Sequence, residues 1–361
     1  MAEKSEKKKQ LRVKCVGIDL GTSTIKISYK NQKIKIPSII GEPNPGFRGI
    51  SPDQSWENNL IIELENGEEY YIGELARLQS VVKIPLAREG RVKSVEDAKI
   101  AIDAALGVIS ESKEEYFIVA TGVPVATGRE DMEKLSKSII GQRKIKIKND
   151  ATGQVKEVKA KILAAPVLPE PYGSWYYVLK KEGETKALDS VIIDIGFGST
   201  DYLTIYKGQI LRTASGSIRE AVDTLVTMLA QYITEKTGAM LKPESLIPVL
   251  ESGEYKLSVA GKTFDITPQV EAFSRHIANV IVDELYRLLE NIPPDAIIKY
   301  YILVGGGVYI FGDKIKEALK QRGIISDAKQ LVIPEDPVMS NAMGFELIAK
   351  YYEEKLLKGR K

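Results

Sequence analysis

The chain predicts an α/β fold of two similar lobes, each a mixed β-sheet flanked by helices, with a cleft between them. Three observations lead there. The first is a near-duplication: Ile18-Asp19-Leu20-Gly21-Thr22-Ser23-Thr24 runs into an alternating strand and a Lys30-Asn31-Gln32 turn, and Ile193-Asp194-Ile195-Gly196-Phe197-Gly198-Ser199-Thr200 runs into a similar strand and a Lys207-Gly208-Gln209 turn. Each copy reads as a buried strand ending in a carboxylate, a tight Gly/Ser/Thr turn and a returning strand. The second is order: strands followed by a crossover helix occur twice, as mixed sheets require. The third is size, since 361 residues with 43% apolar content suffice for two hydrophobic cores.

The elements follow in order. Strands are expected over 13–19, 24–29 and 33–37 as an opening meander. A Pro/Gly-rich linker follows over 41–55, then a hairpin over 60–65 and 68–72 turned at Asn66-Gly67, a two-residue turn signal. That hairpin reads as a small outlying subdomain. Ser94-Val95-Glu96-Asp97 resembles a capping box and opens a helix to about residue 106, with Ala98, Ala101, Ile102 and Ala105 on one face. A buried strand at 116–121, a helix near 129–140, strands at 144–148 and 155–163 and a helix at 172–180 complete the first half. The second half is expected as three strands from 191 to about 212 and a long helix at 218–237. A small hairpin at 255–264, a helix at 268–290 and a strand at 300–303 emptying into Gly305-Gly306-Gly307 come next. A helix at 313–321, a strand at 331–333 and a final helix from about Met339 close the chain.

Composition removes several function classes. Net charge is +2 and no aromatic-interleaved basic patch occurs, so direct nucleic-acid binding is not expected. Cys15, the single cysteine, excludes intrachain disulfides and multi-cysteine zinc sites, and its apolar strand makes it a core residue. His276, the single histidine, lies in a helical pattern and reads as a packing or surface residue. No run of 18 apolar residues and no apolar leader occur, so a cytoplasmic protein without a membrane span is expected. Balanced charges at 28% with scarce Cys and His fit a thermophile. The lysine-rich run at 4–9 reads as a solvated tail.

The chemistry concentrates in the duplicated turns. A triphosphate needs several donors at close range, so Gly21 lets the backbone approach while Thr22, Ser23 and Thr24 add hydroxyls. Lys26 shares a strand face with Thr24 and is placed to reach a phosphate oxygen; a solvent-facing strand lysine is the plainer alternative. Gly196, Gly198, Ser199 and Thr200 supply the matching clamp, and Asp201 reads as a residue bonding the local turn. Asp19 and Asp194 end apolar strands, where a carboxylate is costly unless paired or metal-linked. Both read as organising a hydrated Mg²⁺, mainly through water; turn capping is the alternative. Gly305, Gly306 and Gly307 suit close approach to a base or α-phosphate, although neither a Walker A loop nor a GxGxxG fingerprint is present. Glu170 lies between Pro169 and Pro171 at the junction of the two halves, so its carboxylate is expected to aim into the cleft; a surface glutamate is the plainer alternative.

These motifs together resemble the actin, heat-shock chaperone and sugar kinase superfamily. The first phosphate motif resembles residues 17–26, the second 193–201, the adenosine motif 303–307, and the two interdomain connections 169–172 and 340–344. In size the chain is similar to prokaryotic actins, above all plasmid-segregation actins of the ParM type and archaeal actin-like ATPases. The resemblance implies an actin-like ATPase fold. Domain I is then expected over 1–169 and 338–361, with a small subdomain near 38–75, and domain II over 170–337, with one near 238–267. It implies ATP/ADP and Mg²⁺ as ligands, and ATP hydrolysis coupled to assembly of a homopolymer filament, in DNA segregation or cell shape, with an adaptor or cargo unidentified. It places Asp19 and Asp194 as the magnesium-organising acids and Glu170 where the family positions the residue that orients the attacking water. A sugar-type small-molecule kinase and an ATP-binding assembly adaptor are the competing readings.

Overall fold

The computed structural model describes residues 12–44, 52–86, 94–183 and 188–358. The lysine run at 4–9 and residues 45–51 of the Pro/Gly-rich linker lie outside the described residues.

The first lobe is built on an eleven-stranded mixed sheet. Its central strand, Val13–Leu20, is buried almost throughout, as a strand covered on both faces must be. Thr24–Tyr29 and Gln32–Pro37 extend it as an antiparallel meander. Glu114–Val123 and then Val155–Ala164 add in parallel on the other side. The second lobe repeats the plan. Ser190–Ile195 is central, Thr200–Tyr206 and Gln209–Ile210 form the antiparallel side, and Tyr300–Val304 and Leu331–Val332 the parallel side. The likeness reaches the turns. Lys30 and Asn31 have φ of 47° and 65°, and Lys207 and Gly208 have 48° and 77°, the backbone of a two-residue turn whose twist matches its strands.

Asn66-Gly67 does not make such a turn. Leu60–Glu63 and Glu69–Ile72 part earlier, the Gly67 N–H donates to the Leu64 carbonyl at 2.9 Å, and Asn66 accepts from the Glu68 N–H at 3.0 Å. The Asn side chain thus shapes a longer loop over 64–68. Leu60–Glu63 also pairs with Gly141–Asn149, which makes this segment continuous with the first sheet. Two helices start elsewhere than their pattern suggests. Gly216–Ile218 pairs with Thr200–Tyr206, so the helix expected from 218 begins at Val222. The helix expected from 313 begins at Val308, directly from the glycines. The Ser94 hydroxyl does cap its helix, Val95–Ile109, accepting from the Asp97 N–H at 3.0 Å. Cys15 is buried and His276 is an exposed residue of helix Thr267–Leu289.

Two helices join the lobes. Glu170–Lys181 leaves the first sheet and packs Trp175, Val178 and Leu179 onto Ile192, Leu203 and Ile302 of the second. Ser340–Lys358 leaves the second lobe and packs Phe345, Ile348 and Ala349 onto Cys15, Ile118 and Ala120 of the first. The two cross backbone to backbone: a Cβ built on Gly344 would lie 1.7 Å from the Gly173 carbonyl oxygen. Among the described residues no helix is long and apolar enough to cross a membrane.

Candidate functional site

The duplicated hairpins bring one carboxylate each to a shared centre. Asp19 ends the first central strand and faces Lys26 across the hairpin in register. Asp194 ends the second and faces Asp201 at the corresponding position. Lys26 therefore occupies in one lobe the place that an acid occupies in the other. Its Nζ lies 2.9 Å from Asp19 Oδ2, with Asp19 only 2% exposed. Burial pulls the Lys26 ammonium toward its neutral form, but Asp19, Asp194 and Glu170 together hold it above its ordinary range. One cation thus stands among acids from both lobes and from the junction helix.

Negative charge remains in excess around it. Burial raises the Asp194 carboxyl above the usual carboxylate range and Asp19 adds to this, while Lys26 and a hydrogen bond from Asn341 oppose it. Burial, then the Asp194 charge, pushes Asp201 up to about 7. The Ser199 hydroxyl donates to Asp201 Oδ2 at 3.3 Å, and the hydroxyls of Ser217, opposite it in register, and of Ser199 oppose the rise. Asp201 therefore belongs to the charged cluster as well as to its turn. Crowded, buried carboxylates that raise one another's pKa are the setting that a nearby divalent cation would relieve. Among the described residues no three acids, histidines or cysteines converge closely enough to ligate a metal directly. The donor set suits Mg²⁺ kept in its water shell by Asp19 and Asp194.

The turn residues divide into two groups. Gly21, Thr22, Ser23 and Thr24 form an accessible tip, and the Ser23 and Thr24 hydroxyls stand 3.4 Å apart. Gly196 closes the second turn by donating its N–H to the Ser199 carbonyl at 2.9 Å. Gly198 is buried, and the Thr200 hydroxyl is turned inward, donating to the Glu220 carbonyl at 2.7 Å. Thr200 so braces the start of the neighbouring helix rather than offering a donor at the tip. The triple glycine also splits. A Cβ on Gly305 (φ 90°) would meet the Ile195 carbonyl oxygen at 2.2 Å and Asp194 Oδ1 at 2.6 Å, and one on Gly307 would strike the Ile195 side chain. Those two glycines lock the strand-to-helix turn against the second hairpin. Gly306 alone faces open space.

Glu170 opens the junction helix with Pro169 before it and Pro171 after it. Its Cγ packs over Gly122, where an added Cβ would lie 2.7 Å away. Sequence reasoning passed over Asn341, which is 6% exposed and donates to Asp194 Oδ2 at 2.7 Å. Its only signal was its place in the second interdomain connection.

Two family models cover most of the chain: "Actin like proteins N terminal domain" matches residues 17–173, and "Archaeal actin homologue MreB-like, C-terminal" matches residues 192–317. The chain belongs to the actin-like proteins. No curated protein matches it by sequence. Among solved structures it resembles the archaeal actin homologue Ta0583, at 21% identity and a TM-score of 0.71, covering 94% of this chain and 99% of that one. Ta0583 has also been solved in complex with ADP, at 20% identity and a TM-score of 0.69 over 94% of this chain and 99% of that one. A ParM in a 15-stranded filament from Clostridium botulinum matches at 18% identity and a TM-score of 0.73, over 94% of this actin-like chain and 100% of that one.

Proposed function

We propose that this actin-like protein is a cytoplasmic ATPase that binds Mg-ATP between its lobes and assembles into nucleotide-dependent filaments, in DNA segregation or cell shape. The observation that supports this most is Lys26, a first-lobe cation held among Asp19, Asp194 and Glu170. A cation so placed, flanked by two glycine turns, suits a phosphate chain gripped from both sides. The ADP complex of Ta0583 and the filament of the Clostridium ParM agree with the reading.

In this reading Thr22, Ser23 and Thr24, with the Gly21 backbone, meet one side of the phosphates, and Gly196 and Ser199 meet the other. Gly306 leaves space beside the nucleoside, with Gly305 and Gly307 holding that wall in place. Asp19 and Asp194 hold hydrated Mg²⁺, which when bound neutralises phosphate charge. Glu170 orients a water toward the γ-phosphate and accepts its proton, so positioning and electrostatics supply most of the rate. Loss of the γ-phosphate removes contacts from one clamp, and the lobes then turn about the two connecting helices. Contacts between subunits that span both lobes sense that rotation.

The test is phosphate release, pelleting and electron microscopy of the purified chain with ATP, ADP and no nucleotide. Filaments that form with ATP and disassemble as phosphate appears are expected. ADP production that requires an added small-molecule acceptor, with no pelleting, would replace this reading by a kinase; pelleting without phosphate release would replace it by an assembly adaptor.

A further inference from the structure

Asn341 stands where the helix crossing meets the carboxylate cluster, and the two ends of its carboxamide face different ways. It is the second residue of helix Ser340–Lys358. Its Oδ1 accepts from the Ser174 backbone N–H at 3.2 Å and from the Ser174 hydroxyl. Its Nδ2 donates to Asp194 Oδ2 at 2.7 Å. Ser174 belongs to the other connecting helix, one residue beyond the glycine at the crossing. Ser340 joins the same knot, its hydroxyl 2.7 Å from that of Ser174.

We propose that Asn341 is a positioning residue that ties the Asp194 carboxylate to the pivot between the lobes, so that lobe rotation and the geometry of the second clamp change together. The proposal rests on the ATPase reading above. Its physical basis is the two-sided chemistry of the amide, which offers a donor and an acceptor on one rigid plane. Asp194 has one oxygen against the Gly305 backbone and the other on Asn341, so Asn341 sets the orientation of the carboxylate. When the crossing shifts, Ser174 carries Oδ1 with it and Nδ2 moves at the acid. The plainer alternative is that Asn341 merely staples two helices together.

The isosteric variant Asn341→Asp separates the two. It keeps an acceptor for Ser174 but sets a second carboxylate against Asp194, whereas Asn341→Ala removes both functions. A staple predicts that Asp is milder than Ala; positioning of Asp194 predicts that it is harsher. The experiment uses the full chain and compares phosphate release (kcat and KM), affinity for a fluorescent ADP analogue, and the thermal midpoint. Outer partners of such acids typically contribute roughly 10–100-fold. Asn341→Ala is therefore expected to lower kcat about tenfold with KM near wild type, and Asn341→Asp to lower it further. Wild-type kcat in Asn341→Ala, or an Asp variant as active as the Ala variant, overturns the proposal. If the Asp variant does not fold, Asn341→Ala decides: reduced kcat with retained ADP affinity supports positioning, and equal loss of kcat, ADP affinity and thermal midpoint overturns it. A wild-type chain that neither binds nor hydrolyses ATP overturns the ATPase reading itself, and the proposal with it.

Discussion

The crossing of the two connecting helices makes a quantitative demand on Gly344. A Cβ there would sit 1.7 Å from the Gly173 carbonyl oxygen, 2.4 Å from its carbon and 2.8 Å from its Cα. All three are backbone atoms, so no side-chain rotation relieves the clash. Real Cβ contacts essentially never fall under 3.0 Å, so Gly344→Ala forces the helices apart by more than an ångström. Overpacking of this kind costs about 1–3 kcal/mol. The separation also strains the hydrogen bonds from Ser174 to Asn341 and from Asn341 to Asp194, each worth about 1 kcal/mol. A loss of roughly 3–5 kcal/mol follows, a fall of roughly 5–15 °C in the thermal midpoint. The control is Gly312→Ala, inside helix Val308–Gln321, where the nearest atom to a new Cβ is a Val308 methyl at 3.4 Å, an ordinary van der Waals contact. There the same change should stabilise by about 0.5–1 kcal/mol, because Ala outranks Gly within a helix. Calorimetry of both variants gives the answer. A Gly344→Ala midpoint no lower than that of Gly312→Ala would refute the claim that the helices touch through glycine.

Further outcomes follow from the site and the core. Glu170→Ala should retain ATP binding yet slow phosphate release by roughly 10²–10⁴-fold and lengthen filament lifetime; unchanged phosphate release removes Glu170 from the chemistry. Lys26→Met leaves the buried Asp19 unpaired and should cost about 3–5 kcal/mol at neutral pH along with nucleotide affinity, checked by denaturation and ADP titration; a stabilised variant would contradict the charge balance described for the cluster. Asp103 lies beneath Arg143, 2.6 Å from its Nε, and burial pushes its carboxyl up to about 6 from 3.8 against the pull of the guanidinium. The folded chain therefore holds that proton longer than the unfolded one, and stability falls as pH rises from about 4 to about 6, by about 3 kcal/mol for this group. Denaturation of wild type and Asp103→Asn at pH 4.5 and 7 should show about 2 kcal/mol of that difference; a gap between them independent of pH would exclude it.

Much of this was legible in the chain because period and punctuation agree there. The central strands are apolar runs ending in Asp, the Lys30-Asn31 and Lys207-Gly208 turns adopt the left-handed backbone that such pairs favour, and Ser94 caps its helix. Where the reading failed, long-range contacts overrode local pattern. Ile218 looked like the start of a helix, yet Gly216–Ile218 pairs with Thr200–Tyr206 as a strand instead. The bond from the Thr200 hydroxyl to the Glu220 carbonyl likewise joins residues that no local pattern links. Asn341 carries no motif of its own, because its importance lies in contacts with Ser174 and Asp194, residues distant in the chain.

The duplication is most informative where it breaks. Both hairpins place the residue opposite their terminal acid at the same spacing, but one copy has Lys26 and the other Asp201. Had both copies kept an acid, four carboxylates, with Glu170, would crowd one centre and drive the lobes apart. Had both kept a lysine, the cations would compete with a bound metal for the same acids. One of each leaves a net attraction between the lobes, through Lys26 and Asp194, together with a residual negative charge that burial makes costly at Asp201. In the proposed reading, a cation and a phosphate bound there would hold the lobes together more firmly than these charges do alone. The proposed nucleotide response needs that ordering of strengths, and the Lys26-for-Asp201 difference between otherwise matching hairpins is the residue change that favours it.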